Sequence, residues 1–237
     1  MRRNSSPFKW RRYASGVILL CVRRHCRYSL SYRDLEEMMR ERGLSADHVT
    51  VFRWAQCYAP EINRRMRPRL KMIGASYRLG ETYVKVGKEW KYLYRAVDSP
   101  GCTIEFMPSE RRDVSAAKRF FKKLMKADHG RLPFTIGPDK HASYPEAFAA
   151  SINEKVPPSD CKLRSVKYLN DVIGQDHRAI RRRWRAMQCL RPFHTAERTT
   201  EGVEASHVMR KGQVKRLGGR DAIGQAKFVA NLFGVTA

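Results

Sequence analysis

Between Ser15 and Tyr58 apolar residues recur three times with the spacing of a buried helix face: VILLCVRRHC at 17–26, YRDLEEMMRER at 32–42 and DHVTVFRWAQCY at 47–58. Ser31 and Ser45 stand where N-caps belong, and Gly43 stands where a helix stops and turns. Two short helices joined across Gly43 and Leu44 predict a helix-turn-helix, whose second helix enters the major groove of duplex DNA. On that helix Thr50 and Arg53 are the outward-facing candidates for base contacts, while Val49, Phe52 and Trp54 are expected to pack inward. The preceding residues, 1–14, are basic and aromatic without periodicity and read as an arm.

Residues 59–76 carry two prolines among several arginines and read as a linker or short basic helix. The period then changes to strict alternation: SYRLGETYVKV, a turn at Gly87 and Lys88, EWKYLYRAVD, a turn at 99–101, then CTIEFM. Three strands with short turns predict an antiparallel meander. SAAKRFFKKLMKA follows as an amphipathic helix with Ala117, Phe120, Phe121 and Leu124 inward. A short apolar strand ending at Asp139, a helix from Tyr144 to Asn153, and LRSVKYL as a further extended segment lead to a last helix over Val166–Met187. The fold class is α/β, with an N-terminal helical region (15–70), a mixed α/β core (71–189) and a basic C-terminal tail (190–237) able to pack as one or two helices.

In the helix over 166–187, Leu169, Val172, Ile173, Ile180 and Trp184 form the expected buried stripe, which puts Asp171, Gly174, His177, Arg178 and Arg181 on a neighbouring face. Gly174 leaves a hole in that face, and glycine inside a helix costs roughly 1 kcal/mol relative to alanine.

Charge narrows the partner. The chain has 48 Lys and Arg against 23 Asp and Glu, a net charge of +25, which makes a compact domain repel itself without a polyanion. The basic residues are spread through core-forming segments and are not gathered on one amphipathic tail, which favours nucleic acid over a membrane surface. The apolar run from Gly16 to Val22 is too short to span a bilayer. Six cysteines show neither zinc-ligand spacing nor a disulfide framework, and read as thiols of a reducing cytoplasm.

The order of segments resembles the insertion-sequence-six family of bacterial transposases. ILLCVR, YRDLEEMMRERG, ETYVKV with WKYLYRAVD, DKHASYP, VKYLN with QDHRAIRRR, and HVMRKGQ carry the resemblance over nearly the whole chain. It implies a helix-turn-helix that recognises terminal inverted repeats and a ribonuclease-H-like core holding an Asp, Asp, Glu triad. Such a triad binds two Mg²⁺ ions and supports in-line displacement at DNA phosphorus, first by water and then by the freed 3′ hydroxyl on target DNA. A homodimer acting in the bacterial cytoplasm, on the nucleoid, is the expected working form.

Carried over position by position, the triad falls at Gly80, Asp139 and Gly174, with 34 residues between the last two. Asp139 is therefore the one remaining catalytic and metal-ligating carboxylate. Glu81 should point to the opposite sheet face and Asp176 away from the Gly174 face, while Asp171 and Asp98 border the region. Lys140, His177, Arg178 and Arg181 remain as DNA-backbone contacts. The resulting expectation is a transposase by descent, with DNA cleavage and strand transfer impaired by Gly80 and Gly174. The alternatives are a non-catalytic DNA-end-binding protein, able to inhibit transposition, and an RNA-binding basic protein, against which the helix-turn-helix argues.

Overall fold

The structure, a computed structural model, describes residues 7–8, 12–127, 132–138, 143–164, 171–187 and 192–235. Contacts divide the chain into two compact units, one formed by Met1–Arg69, Ala186–Cys189 and His194–Ala237, the other by Leu70–Arg185 and Leu190–Phe193. Among the described residues no helix is long and apolar enough to cross a membrane, and Cys21, Cys26, Cys57, Cys102 and Cys161 are free thiols.

The first unit is helical: α1 (Ser15–Arg27), α2 (Tyr32–Arg40), α3 (His48–Met66), a 3-10 turn (Arg67–Arg69), α7 (Phe193–Arg210) and α8 (Ala222–Leu232). Ser31 caps α2 in a reciprocal capping box with Asp34. Gly43, at φ 69°, turns the chain toward α3. The cap of α3 is Asp47, not Ser45: its carboxylate accepts the Thr50 N–H at 2.6 Å. Glu36 ties α2 to α3 by accepting both the backbone N–H of His48 (3.0 Å) and its ring Nδ1–H (2.8 Å). These bonds hold the Glu36 carboxyl below its ordinary range.

Of the two readings of 59–76, linker or short basic helix, the structure shows helix over its first half, because α3 runs through Pro60 to Met66 and a 3-10 turn follows. Proline removes the N–H that would bond the carbonyl of Gln56, and Arg198 of α7 supplies a replacement donor through Nε at 2.7 Å. The C-terminal segment, expected as a basic tail able to pack as one or two helices, forms α7 and α8. α7 bonds along α3 through Gln56 Nε2 to Thr199 Oγ1 (2.9 Å) and Asn63 to Glu201. Gly202 permits the close approach, since a Cβ there would stand 2.6 Å from Ala59 Cβ and clash with Cys26.

The second unit is a five-stranded mixed sheet: β1 (Ser76–Val86), β2 (Glu89–Asp98), β3 (Thr103–Ser109), β4 (Thr135–Pro138) and β5 (Lys162–Leu163), with α4 (Val114–Met125), α5 (Ser143–Asn153) and α6 (Asp171–Ala186). The strand order is β3-β2-β1-β4-β5, antiparallel within the meander and parallel for β1-β4 and β4-β5. β3 is an edge strand, which is where Pro108 can sit without removing an interior ladder bond. Leu79, Tyr94, Ala96, Ile104 and Ile136 pack with Phe120 and Phe121 of α4 and Tyr144 of α5. Each large side chain buried there contributes about 1.5–3 kcal/mol.

His25 of α1 gives the first unit a pH signature. It is 1% exposed, stacks on Tyr32 and lies 3.0 Å from the Leu30 carbonyl through Nδ1, which must therefore donate. Burial, only partly opposed by that bond, lowers its pKa from 6.5 to about 4. The unfolded chain takes up this proton as pH falls through 6.5, and the native chain does so only near 4. Stability is thus complete above 6.5 and drops by about 3 kcal/mol across that window. Urea titrations from pH 7 to pH 4 should show this acid loss, and His25→Asn, which retains a donor, should flatten it; an unchanged profile contradicts the assignment.

Candidate active site

The alternation of β1 sends Leu79 and Glu81 to the face covered by α4 and α5, and Gly80 to the face covered by α6. Glu81 accepts the Tyr144 hydroxyl at 2.5 Å and Arg112 Nε at 2.6 Å. Burial, and then the Glu81 charge, push the Tyr144 phenol well above its ordinary range, so this carboxylate works inside the core. A Cβ built on Gly80 would lie 3.3 Å from His177 Cε1 and 3.4 Å from Ile173 Cδ1, one helical turn apart on α6.

Directly across the ladder from Gly80 is Arg95 of β2. Its Nη1 donates to Asp176 Oδ2 at 2.5 Å, and the two side chains are 0% and 5% exposed. This buried pair fixes the rotation of α6 on the sheet: Ile173, Asp176, His177, Ile180 and Trp184 face inward. Sequence reasoning missed the pair. The available signal was an arginine between Tyr94 and Ala96 in the apolar stretch of the strand, together with an Asp-His step inside an apolar helical stripe.

The remaining expected site residues divide. His177 is buried, 7% exposed, and so does not present itself to DNA as expected. Its position four residues beyond Ile173 and three before Ile180 places it with them, toward the sheet. Arg178 and Arg181 are exposed, and Gly174 lies on the same helical stripe with them and with the exposed Arg185. Val172, expected in the buried stripe, is 37% exposed; the rotation set by Arg95 and Asp176 turns it outward. Leu169, Asp139, Lys140 and the Asp171 side chain lie outside the described residues. β4 ends at Pro138, which pairs with Leu79, the residue before Gly80. In the first unit Arg53 is exposed and Thr50 half-buried, while Val49, expected inward, is 42% exposed.

A two-ion site needs several hard oxygen ligands converging on one point. Positions 80 and 174 supply none. Asp98 is 1% exposed and closes the β2-β3 turn, accepting Cys102 N–H at 2.7 Å and Gly74 N–H at 3.1 Å. Glu81 points to the other face, and Asp176 is held by Arg95. Among the described residues no three His, Cys, Asp or Glu side chains gather in a way that could hold a metal ion. The described residues do not fit such a centre.

The sheet order, with its antiparallel meander followed by two parallel strands and α6 against β1, defines a ribonuclease-H-like core. A family model described as a DDE domain, of the IS240 transposase type, matches residues 74–213. The transposase for insertion sequence-like element IS431mec of Staphylococcus aureus is 37% identical over 204 residues, which span 86% of this chain and 88% of the relative. The transposase for insertion sequence element IS257 in transposon Tn4003, also of Staphylococcus aureus, is 36% identical over the same shares. The chain belongs to the insertion-sequence-six family of transposases. DNA is the partner and divalent metal ions are the cofactors that serve this family.

The two glycines differ in what surrounds them. A Cβ on Gly174 would meet nothing within 4 Å, whereas one on Gly80 would press on the His177 ring and on Ile173. Gly174→Ala should therefore raise the unfolding free energy by about 0.5–1 kcal/mol through helix propensity. Gly80→Ala should gain less or lose stability. Urea titration of both variants checks the order, and a larger gain at position 80 contradicts it.

Proposed function

We propose that this chain is a transposase that recognises the inverted-repeat ends of its element as duplex DNA, and that its strand cleavage and transfer chemistry is severely impaired. The reading is carried by one observation: positions 80 and 174, on β1 and α6, hold glycine. Ligand geometry at such centres must hold within about 0.5 Å, and the nearby carboxylates Glu81, Asp98 and Asp176 each have a structural partner in another direction. Asp139 alone remains of the triad and is the residue that would ligate Mg²⁺ in a restored site.

The DNA-binding half of the reading rests on retained features. The helix-turn-helix is capped, turned by Gly43 and pinned by Glu36. Arg53, with Thr50 one turn earlier, is presented by α3 to read base edges. Arg178, Arg181 and Lys140 are assigned to phosphates of end and target DNA. The active form is a homodimer in the bacterial cytoplasm, associated with the nucleoid. A chain of this kind occupies element ends without turning them over, and in mixed dimers it inhibits active copies.

Gel-shift and nicking assays on duplexes carrying the element ends separate the two halves. The expected result is end-specific, salt-sensitive binding, weakened by about 1–3 kcal/mol in Arg53→Ala, with no strand cleavage in Mg²⁺ or Mn²⁺. Gly80→Asp combined with Gly174→Glu should restore cleavage. Cleavage by the unaltered chain at the rate of the double variant overturns the impairment, and a preference for RNA over end DNA overturns the DNA reading.

A further inference from the structure

The first unit holds a cleft of about 510 Å³ that lies apart from the Thr50 and Arg53 face of α3 in sequence and in lining. Its walls carry Arg69 from the 3-10 turn, Lys215 and Arg216 from the α7-α8 connector, and Lys227 and Phe228 from α8. All four cations are exposed, and none pairs with a carboxylate among the described residues. Asp221, the acidic residue of the lining, is turned to the backbone, where its carboxylate caps α8 by accepting Gly224 N–H at 2.7 Å. Four positive charges against the single carboxylate of Asp221 leave an excess of positive charge around one concavity, which an entering anion relieves.

The frame that presents them is rigid. Lys215 N–H donates to the Arg69 carbonyl at 2.9 Å. Gln225, 1% exposed, donates to the carbonyls of Gly218 (3.0 Å) and Gly219 (2.9 Å) and so clamps the far side of the connector. Gln213 and Val214 are buried beneath it. Arg216 is held at φ 59°, one of two non-glycine residues with positive φ among the described residues. That conformation is costly for a residue with a Cβ and persists where the surroundings impose it, often at functional positions.

We propose that this cleft binds the sugar-phosphate backbone of DNA as a contact separate from the recognition helix. Arg69, Lys215, Arg216 and Lys227 take successive phosphates, and the half-buried Phe228 ring lies against sugar. The spread of four cations around the opening exceeds what one small anion can use, and the net charge of +25 over the whole chain favours a long polyanion over an acidic peptide. The inference rests on the DNA-binding reading above.

Fluorescence anisotropy of the full chain on end-bearing duplex, across a salt series, tests it with three variants. Lys215→Ala with Lys227→Ala removes two cations, and Lys85→Ala with Lys88→Ala removes two exposed cations of the β1-β2 hairpin as a charge-matched control. The cleft variant should bind roughly ten-fold more weakly at moderate salt, and its log-log salt slope should fall by about 1.8, two phosphate contacts at about 0.9 each. Arg216→Gly should weaken binding while its urea midpoint stays level or rises, because glycine relieves the positive φ. Unchanged affinity and slope in the cleft variant, with the parent binding normally, overturns the cleft and leaves DNA binding standing. An equal loss in the hairpin control also overturns it, since the effect is then bulk charge. A parent chain that does not bind duplex overturns the DNA reading and the cleft together.

Discussion

The second unit depends on one buried ion pair. Arg95, in the middle of β2, and Asp176, on the inner face of α6, are removed from solvent and bonded to each other. Taking both charges out of water is costly, and breaking such a pair by removing one partner costs about 3–5 kcal/mol. The pair sets how α6 is rotated on the sheet. With Asp176 inward, Ile173 and His177 fall against Gly80, and Arg178, Arg181 and Arg185 fall outward with Gly174 on their stripe. The positions that matter for chemistry are therefore placed by a contact that is not itself chemical.

The retained carboxylates around the site all serve the fold. Glu81 anchors Tyr144 and Arg112, Asp98 closes a turn, and Asp176 docks a helix. Removing any of them disturbs buried groups. Glycines at 80 and 174 disturb little: one lies beneath a helix that still has His177 and Ile173 to pack, the other opens on empty space. A scaffold of this kind can lose catalytic ligands and keep its shape, because groups held for chemistry rather than packing contribute little to stability.

Much of this architecture is legible in the chain. The alternation of SYRLGETYVKV and EWKYLYRAVD marks β1 and β2 with their turn, and the helical spacing around Gly43 marks α2 and α3. Other features are invisible because they depend on partners distant in sequence. Pro60 breaks a helix on local grounds, yet Arg198 repairs the bond that it removes. The end of the chain shows only a weak apolar pattern because α7 buries small polar residues such as Thr199 and Thr200, whose hydrogen bonds replace hydropathy as the sign of burial. His177 reads as a DNA contact by its basic neighbours, and only the Arg95–Asp176 pair reveals that it points at the sheet. Of the site itself, helical periodicity marks Gly174 as a hole in a helix face, but what positions 80 and 174 should hold is visible only through family resemblance.

The proposed loss of the metal centre from a retained scaffold is tested by ion binding, apart from any reaction. Purified full chain is titrated with Mn²⁺ while free ion is followed by electron paramagnetic resonance. The account predicts no saturable site sensitive to Asp139→Asn in the unaltered chain, and the appearance of such a site in the variant carrying Gly80→Asp and Gly174→Glu. Saturable binding by the unaltered chain that Asp139→Asn abolishes would contradict it.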